Sequence, residues 1–208
     1  METPGMADPL PSFDSDMVTV DEFYALVPDG QKADLLDGVI YLASPDSERN
    51  DEINQFLVSL LRMFVSARRL GRVTGSRFAY RLTERRAPEP DVAFVATARV
   101  ASIISSREGL GPPDVAVEIV ARDSRVRDYG EKKQLYESSG VAEYWIVDPL
   151  QRRCEFHRLQ SGRYVLVPLE GNRIFRSTSV PGFWIDVEWL IGPELPSDYE
   201  CLQLLLSS

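Results

Sequence analysis

The chain has 208 residues, 44% of them hydrophobic, enough for one substantial core and in favour of one domain over two. Its 23 lysines and arginines stand against 32 aspartates and glutamates, a net charge of -9 that disfavours indiscriminate polyanion binding but leaves room for a local basic patch. Two distant cysteines, Cys154 and Cys201, exclude a disulfide framework and a cysteine-rich zinc site, and a single histidine, His157, excludes histidine-rich metal sites. No G-x-S-x-G elbow accompanies that histidine, so chemistry here must run on carboxylates and lysines. No apolar run approaches the roughly 18 residues that span a bilayer. The acidic start METPGMADPLPSFDSD does not resemble a basic leader, so a reducing, cytoplasmic setting is expected.

Residues 1–16, dominated by proline, glycine, serine and aspartate, read as a mobile arm, and 17–195 as the folded domain. Thr19 opens a short helix through the capping box T-V-D-E. KADLLDGVIYLA reads as a hairpin about Asp37-Gly38. From Ser47 to Leu70, Ile53, Phe56, Leu57, Leu60, Leu61 and Phe64 recur at helical spacing, and Gly71 is the expected stop. Strands are expected at about 72–82, 91–96 and 113–120, then a helix from Ser124 to about Ser139 and the strand EYWIVD. Alternation near 152–159, 163–169 and 173–177 predicts a small antiparallel extension, with His157 an exposed strand residue. FWIDVEWLIG reads as a strand and a helical turn. The tail 196–208, ending CLQLLLSS, is apolar enough to dock on the domain or on a neighbouring subunit.

Within PPDVAVEIV, residues 112–120, Val115, Val117 and Ile119 fill one face, while Glu118 shares the other with Ala116 and Val120. A carboxylate there is costly unless paired. In PEPDVAFV, residues 88–95, Asp91 shares a face with Ala93 and Val95. Two acids on neighbouring strands, each beside a small residue, could converge on a hard cation such as Mg²⁺. The alternative is that Asp91 caps a turn after Pro90 and Glu118 pairs with an arginine. On the following helix Asp128, Lys132 and Leu135 fall at i, i+4 and i+7, turning Lys132 inward and Lys133 about 100 degrees away. Lys132 could orient a water or stabilise phosphorane charge, or it could form an ordinary solvated pair with Asp128.

PEPDVAFV, PPDVAVEIV and RDYGEKKQLYESSGVAEYWIVDP, in this order, resemble the Uma-two family of restriction-endonuclease-like proteins, a branch of the PD-(D/E)XK nuclease superfamily, over about residues 18–192. The resemblance implies an α/β, restriction-endonuclease-like fold: a central mixed β-sheet flanked by helices, here with an antiparallel C-terminal extension. It implies a Mg²⁺- or Mn²⁺-dependent endonuclease acting on DNA, with Asp91 and Glu118 as metal ligands and Lys132 replacing the lysine that Val120 lacks. Asp34 matches an early acid of the family and could hold a water of the metal shell. Val39 and Asn50 depart from the family pattern, which keeps open an inactive, nuclease-fold DNA-binding or assembly module.

Residues 62–86 hold eight arginines against the single acid Glu84, either a phosphate track or a solvated face. Arg77 from this stretch, with Arg122, Arg125 and Arg127 nearer the expected metal, are the candidates for gripping substrate. Tyr144 and Trp145 read as core. Because cutting both strands calls for two sites, a homodimer is expected.

Overall fold

The computed structural model describes residues 17–28 and 30–208; the expected N-terminal arm, 1–16, lies outside them. Thr19 caps α1 (Val20–Leu26) with both bonds of the capping box in place. The hairpin of β1 (Ala33–Leu36) and β2 (Val39–Leu42) turns on Asp37 and Gly38, whose φ of 47° and 79° are those of a tight two-residue turn. Ser47 caps the long helix α2 (Glu48–Arg68).

Here two expectations are corrected. Arg69, in the left-handed region at φ 53°, ends α2 through its N–H bonds to Val65 and Ser66 carbonyls. Gly71 instead begins β3 (Gly71–Gly75), where a Cβ would stand 2.1 Å from the Val95 carbonyl oxygen. The strand expected over 72–82 is also broken: Arg77, at φ 68°, separates β3 from β4 (Tyr80–Arg81).

β5 (Val92–Ala96), α3 (Thr97–Ile103), β6 (Gly109–Leu110) and β7 (Val115–Ile119) follow. The predicted helix after Ser124 contains a π-helical turn, Arg127–Glu131, before α4 (Lys132–Ser139), which Gly140 ends at φ 83°. Then come β8 (Glu143–Asp148), β9 (Arg153–Gln160), β10 (Arg163–Leu166), β11 (Ile174–Arg176), β12 (Trp184–Asp186), α5 (Glu188–Ile191) and α6 (Asp198–Ser207).

The central sheet has the order β10-β9-β8-β7-β5-β3, with β7 and β8 parallel and the other neighbours antiparallel. The two sides of β7 divide as its alternation predicts. Val115, Val117 and Ile119 enter the main core with Leu57, Leu60 and Phe64 of α2, while Ala116 and Val120 join Tyr136 and Tyr144 on the other face. Cys201 and Leu205 bring α6 into the main core, so the apolar tail docks on its own chain. The extension is split, because β9 and β10 continue the central sheet whereas β11 pairs with β12 alone.

Trp145 and Tyr144 are core residues as expected. His157 is not exposed. It is buried, stacked on Tyr144 and bonded to Glu155 at 2.9 Å, and burial, with the nearby Lys133 charge adding to it, pushes its pKa down. The alternating pattern gave its strand but not that second layer of aromatic side chains. Among the described residues no helix is long and apolar enough to cross a membrane.

Candidate active site

The order of β5, β7 and the helix between β7 and β8 assembles the site. Val92 pairs with Val117, so one further step of the antiparallel register sets Asp91 beside Glu118. Asp91 is fixed there by the Ile119 N–H, which donates to its Oδ2 at 2.7 Å. The hairpin attaches through reciprocal backbone bonds between Leu35 and Ala87, and the Glu89 N–H donates to Asp34 Oδ1 at 2.8 Å. Four segments thereby line one cleft, with Asp34, Asp91, Glu118 and Lys132 all in its wall.

What pairs with the buried Glu118 is a lysine and a tyrosine. Lys132 Nζ lies 3.0 Å from Oε2, and Tyr136 donates its hydroxyl to Oε1 at 2.8 Å. Lys132 also lies 2.8 Å from Asp34 Oδ2 and 3.7 Å from Asp128 Oδ1. Burial by itself would lower the Lys132 pKa, but the charges of Asp34, Glu118 and Asp128 outweigh it and hold the ammonium well above its ordinary value. Burial pushes the Glu118 carboxyl up to about 8, with Lys132 opposing and the Asp91 charge adding to the rise. Lys132 is only 2% exposed, whereas Lys133 is partly exposed, as the helical spacing predicts.

Sequence reasoning missed several members of the site. Lys32 ion-pairs with Asp91 Oδ1 and is held charged by it, against the opposing effect of burial. Its signal was available, since Lys32 and Asp34 are two residues apart on one extended segment and so share a face. Glu89 accepts the Ala33 N–H at 3.2 Å, and burial raises its carboxyl to about 7. Ser124 donates to Asp128, whose backbone carbonyl accepts the Tyr144 hydroxyl at 2.8 Å. Asn50 ties the start of α2 to the end of β7 by donating to the Val120 carbonyl at 3.1 Å.

The candidate substrate arginines separate. Arg127 lines the cleft, with its guanidinium 4.8 Å from the Tyr41 ring centroid. Arg125 turns to Asp148 at 3.3 Å, Arg122 is exposed, and Arg77 lines a neighbouring groove, donating to the Gly30 carbonyl at 3.2 Å. The basic stretch 62–86 is divided as well: Arg81 pairs with Asp21 and Glu108, and Arg86 with Asp37.

The donor set fits a hard divalent cation. Four buried acids, Asp34, Asp91, Glu118 and Asp128, ion-pair with two lysines, and Asp128 Oδ1 is buried without a hydrogen-bond partner. Arg127 Nε is likewise buried without an acceptor. Among the described residues, no three histidine, cysteine or carboxylate groups are gathered to hold an ion by themselves. An ion would therefore draw on the Asp91 and Glu118 carboxylates and complete its shell with water and substrate oxygen. The cleft encloses about 40 Å³, space for two or three waters at roughly 15 Å³ each, which suits an ion and its waters and excludes a nucleotide.

Residues 20–188 match the family model Uma2, described as "Putative restriction endonuclease". No curated protein matches the sequence. A solved structure, of "a putative nuclease belonging to DUF820" from Anabaena variabilis, is similar in fold, with a TM-score of 0.67 at 17% identity over 84% of this chain and 97% of that one. The resemblance and the mixed-sheet fold expected from the three motifs are both borne out.

Proposed function

Because the chain belongs to the Uma2 family, we propose that it is a metal-dependent endonuclease hydrolysing phosphodiester bonds of DNA. The observation carrying this reading is the meeting of Asp91, Glu118 and Lys132 in one small cleft that also holds an unpartnered buried acceptor, Asp128 Oδ1. Mg²⁺ or Mn²⁺ held by Asp91 and Glu118 would supply Lewis acidity, lowering the pKa of a bound water and polarising the phosphoryl oxygen.

The protein's own groups supply position and charge. Lys132 keeps its proton, so it acts as a cation and hydrogen-bond donor, not as a base. Of its three N–H groups, two are engaged by Asp34 and Glu118 at 2.8 and 3.0 Å. The third faces Asp128 at 3.7 Å, too far for a hydrogen bond, and is the one to orient the attacking water and offset charge on the phosphorane. Asp34, with Oδ1 taken by the Glu89 N–H and Oδ2 by Lys132, anchors the ammonium. Tyr136 holds Glu118 in place, and Arg127 brings a buried unpartnered N–H to a phosphate oxygen. Double-strand cleavage would use two copies related by a two-fold axis.

A non-catalytic DNA-binding or assembly module is the second reading. It is favoured by one observation: every oxygen of Asp91 and Glu118 already has a protein donor. Plasmid nicking with Mg²⁺ or Mn²⁺ decides between them. The nuclease reading expects wild type to nick and Asp91→Ala and Lys132→Ala to be inactive; wild type no faster than either variant ends it. Gel shifts in EDTA then report whether DNA binding remains.

A further inference from the structure

The two lysines of the site are held differently. Lys132 is enclosed by three carboxylates. The ammonium of Lys32 rests on Asp91, and its side chain is 20% exposed. Its backbone is pinned, because the Lys32 carbonyl accepts from the Ala43 N–H at 3.0 Å and from Gln31 Nε2 at 2.9 Å. A fixed mount thus carries a flexible four-carbon stem, which lines both the cleft and an adjoining groove of about 340 Å³. That groove holds Arg77 and also Asn54, whose Oδ1 is buried without a partner.

The Ile119 N–H occupies Asp91 Oδ2, so Oδ1 is the oxygen left for a metal, and the Lys32 ammonium sits on it. We propose that Lys32 is an exchangeable counter-ion, holding Asp91 while no metal is bound and displaced by the divalent cation into the adjoining groove, where it takes a backbone phosphate of DNA. The proposal rests on the nuclease reading above. Metal binding then frees the ammonium for phosphate, and phosphate draws it off Asp91, so each ligand strengthens the other by the same factor.

The test is a calorimetric Mn²⁺ titration of the full chain and of Lys32→Met and Lys32→Gln, with and without a short duplex made uncleavable by phosphorothioate linkages. Both variants are expected to bind Mn²⁺ roughly tenfold more tightly than wild type in the absence of DNA, within the usual range of such couplings. They also lose the gain in Mn²⁺ affinity that the duplex gives wild type. Equal or weaker Mn²⁺ binding by cooperatively folded variants overturns the proposal while leaving the nuclease reading intact. Failure of both variants to fold makes Lys32 a structural ion pair and also overturns it. No Mn²⁺ binding by any of the three chains fails the nuclease reading itself.

Discussion

Replacing Lys132 by methionine keeps the volume of the side chain and removes the charge that Asp34, Glu118 and Asp128 share. Taking one partner from a buried ion pair costs about 3–5 kcal/mol, because the other charge is left unpaired. The lower end applies here, since burial already raises the Glu118 and Asp128 carboxyls and both can relieve the site by taking up protons. The expected loss is therefore about 3 kcal/mol at pH 8, which for a chain of this length lowers Tm by roughly 6–12 °C. The sign of the pH dependence follows. Without the ammonium the folded carboxyls titrate higher still above their unfolded values, so folding binds protons and the deficit shrinks as pH falls from 8 towards 5. Thermal unfolding of wild type and Lys132→Met at pH 8 and pH 5.5 measures both quantities. A variant that melts within 2 °C of wild type at pH 8, or whose deficit is unchanged by acid, would refute this account of the site.

Four further outcomes are expected. Burial pushes the Glu118 carboxyl up to about 8 and it must be a carboxylate to ligate metal, so Mn²⁺ binding at pH 7 should release about one proton; calorimetry in two buffers of different ionisation enthalpy reads it, and zero release contradicts the ligand assignment. In the metal-free chain the same group is protonated when folded and ionised when unfolded between 4.5 and about 8, so its contribution to stability is lost as pH rises through that window. Tyr136→Phe removes the 2.8 Å bond to Glu118 and should cost about 1–3 kcal/mol in a denaturant titration, the range for leaving a buried acceptor without its donor. Gly71→Ala drives a methyl towards the Val95 carbonyl, 2.1 Å from its ideal position, and should cost about 2–3 kcal/mol with no change in metal affinity.

Much of the site was legible because its residues break or continue a local period. Glu118 stands out as the acid in an otherwise apolar strand, and Lys132 faces inward with Asp128 one helical turn before it. The hairpin turn and the capping box were legible for the same local reason. What escaped depends on contacts between distant segments. Nothing in RDYGE marks a π-helical turn, and its Gly130 has nothing within 4 Å of where a Cβ would be. Arg69 and Arg77 take left-handed conformations that the sequence offers more readily to glycine, so the helix end and the break in the following strand fell where propensity does not place them. His157 is buried by Tyr144 of β8 and Tyr164 of β10, neither of which the alternation of its own strand reveals.

The proposed nuclease chemistry requires Asp91 and Glu118 to hold one divalent cation beside Lys132. A crystal soaked in Mn²⁺ and measured for anomalous scattering tests it directly. A peak is expected about 2.1 Å from an oxygen of each carboxylate, with the Lys132 ammonium still bonded to Asp34. A peak bound elsewhere, or none at saturating Mn²⁺, contradicts it.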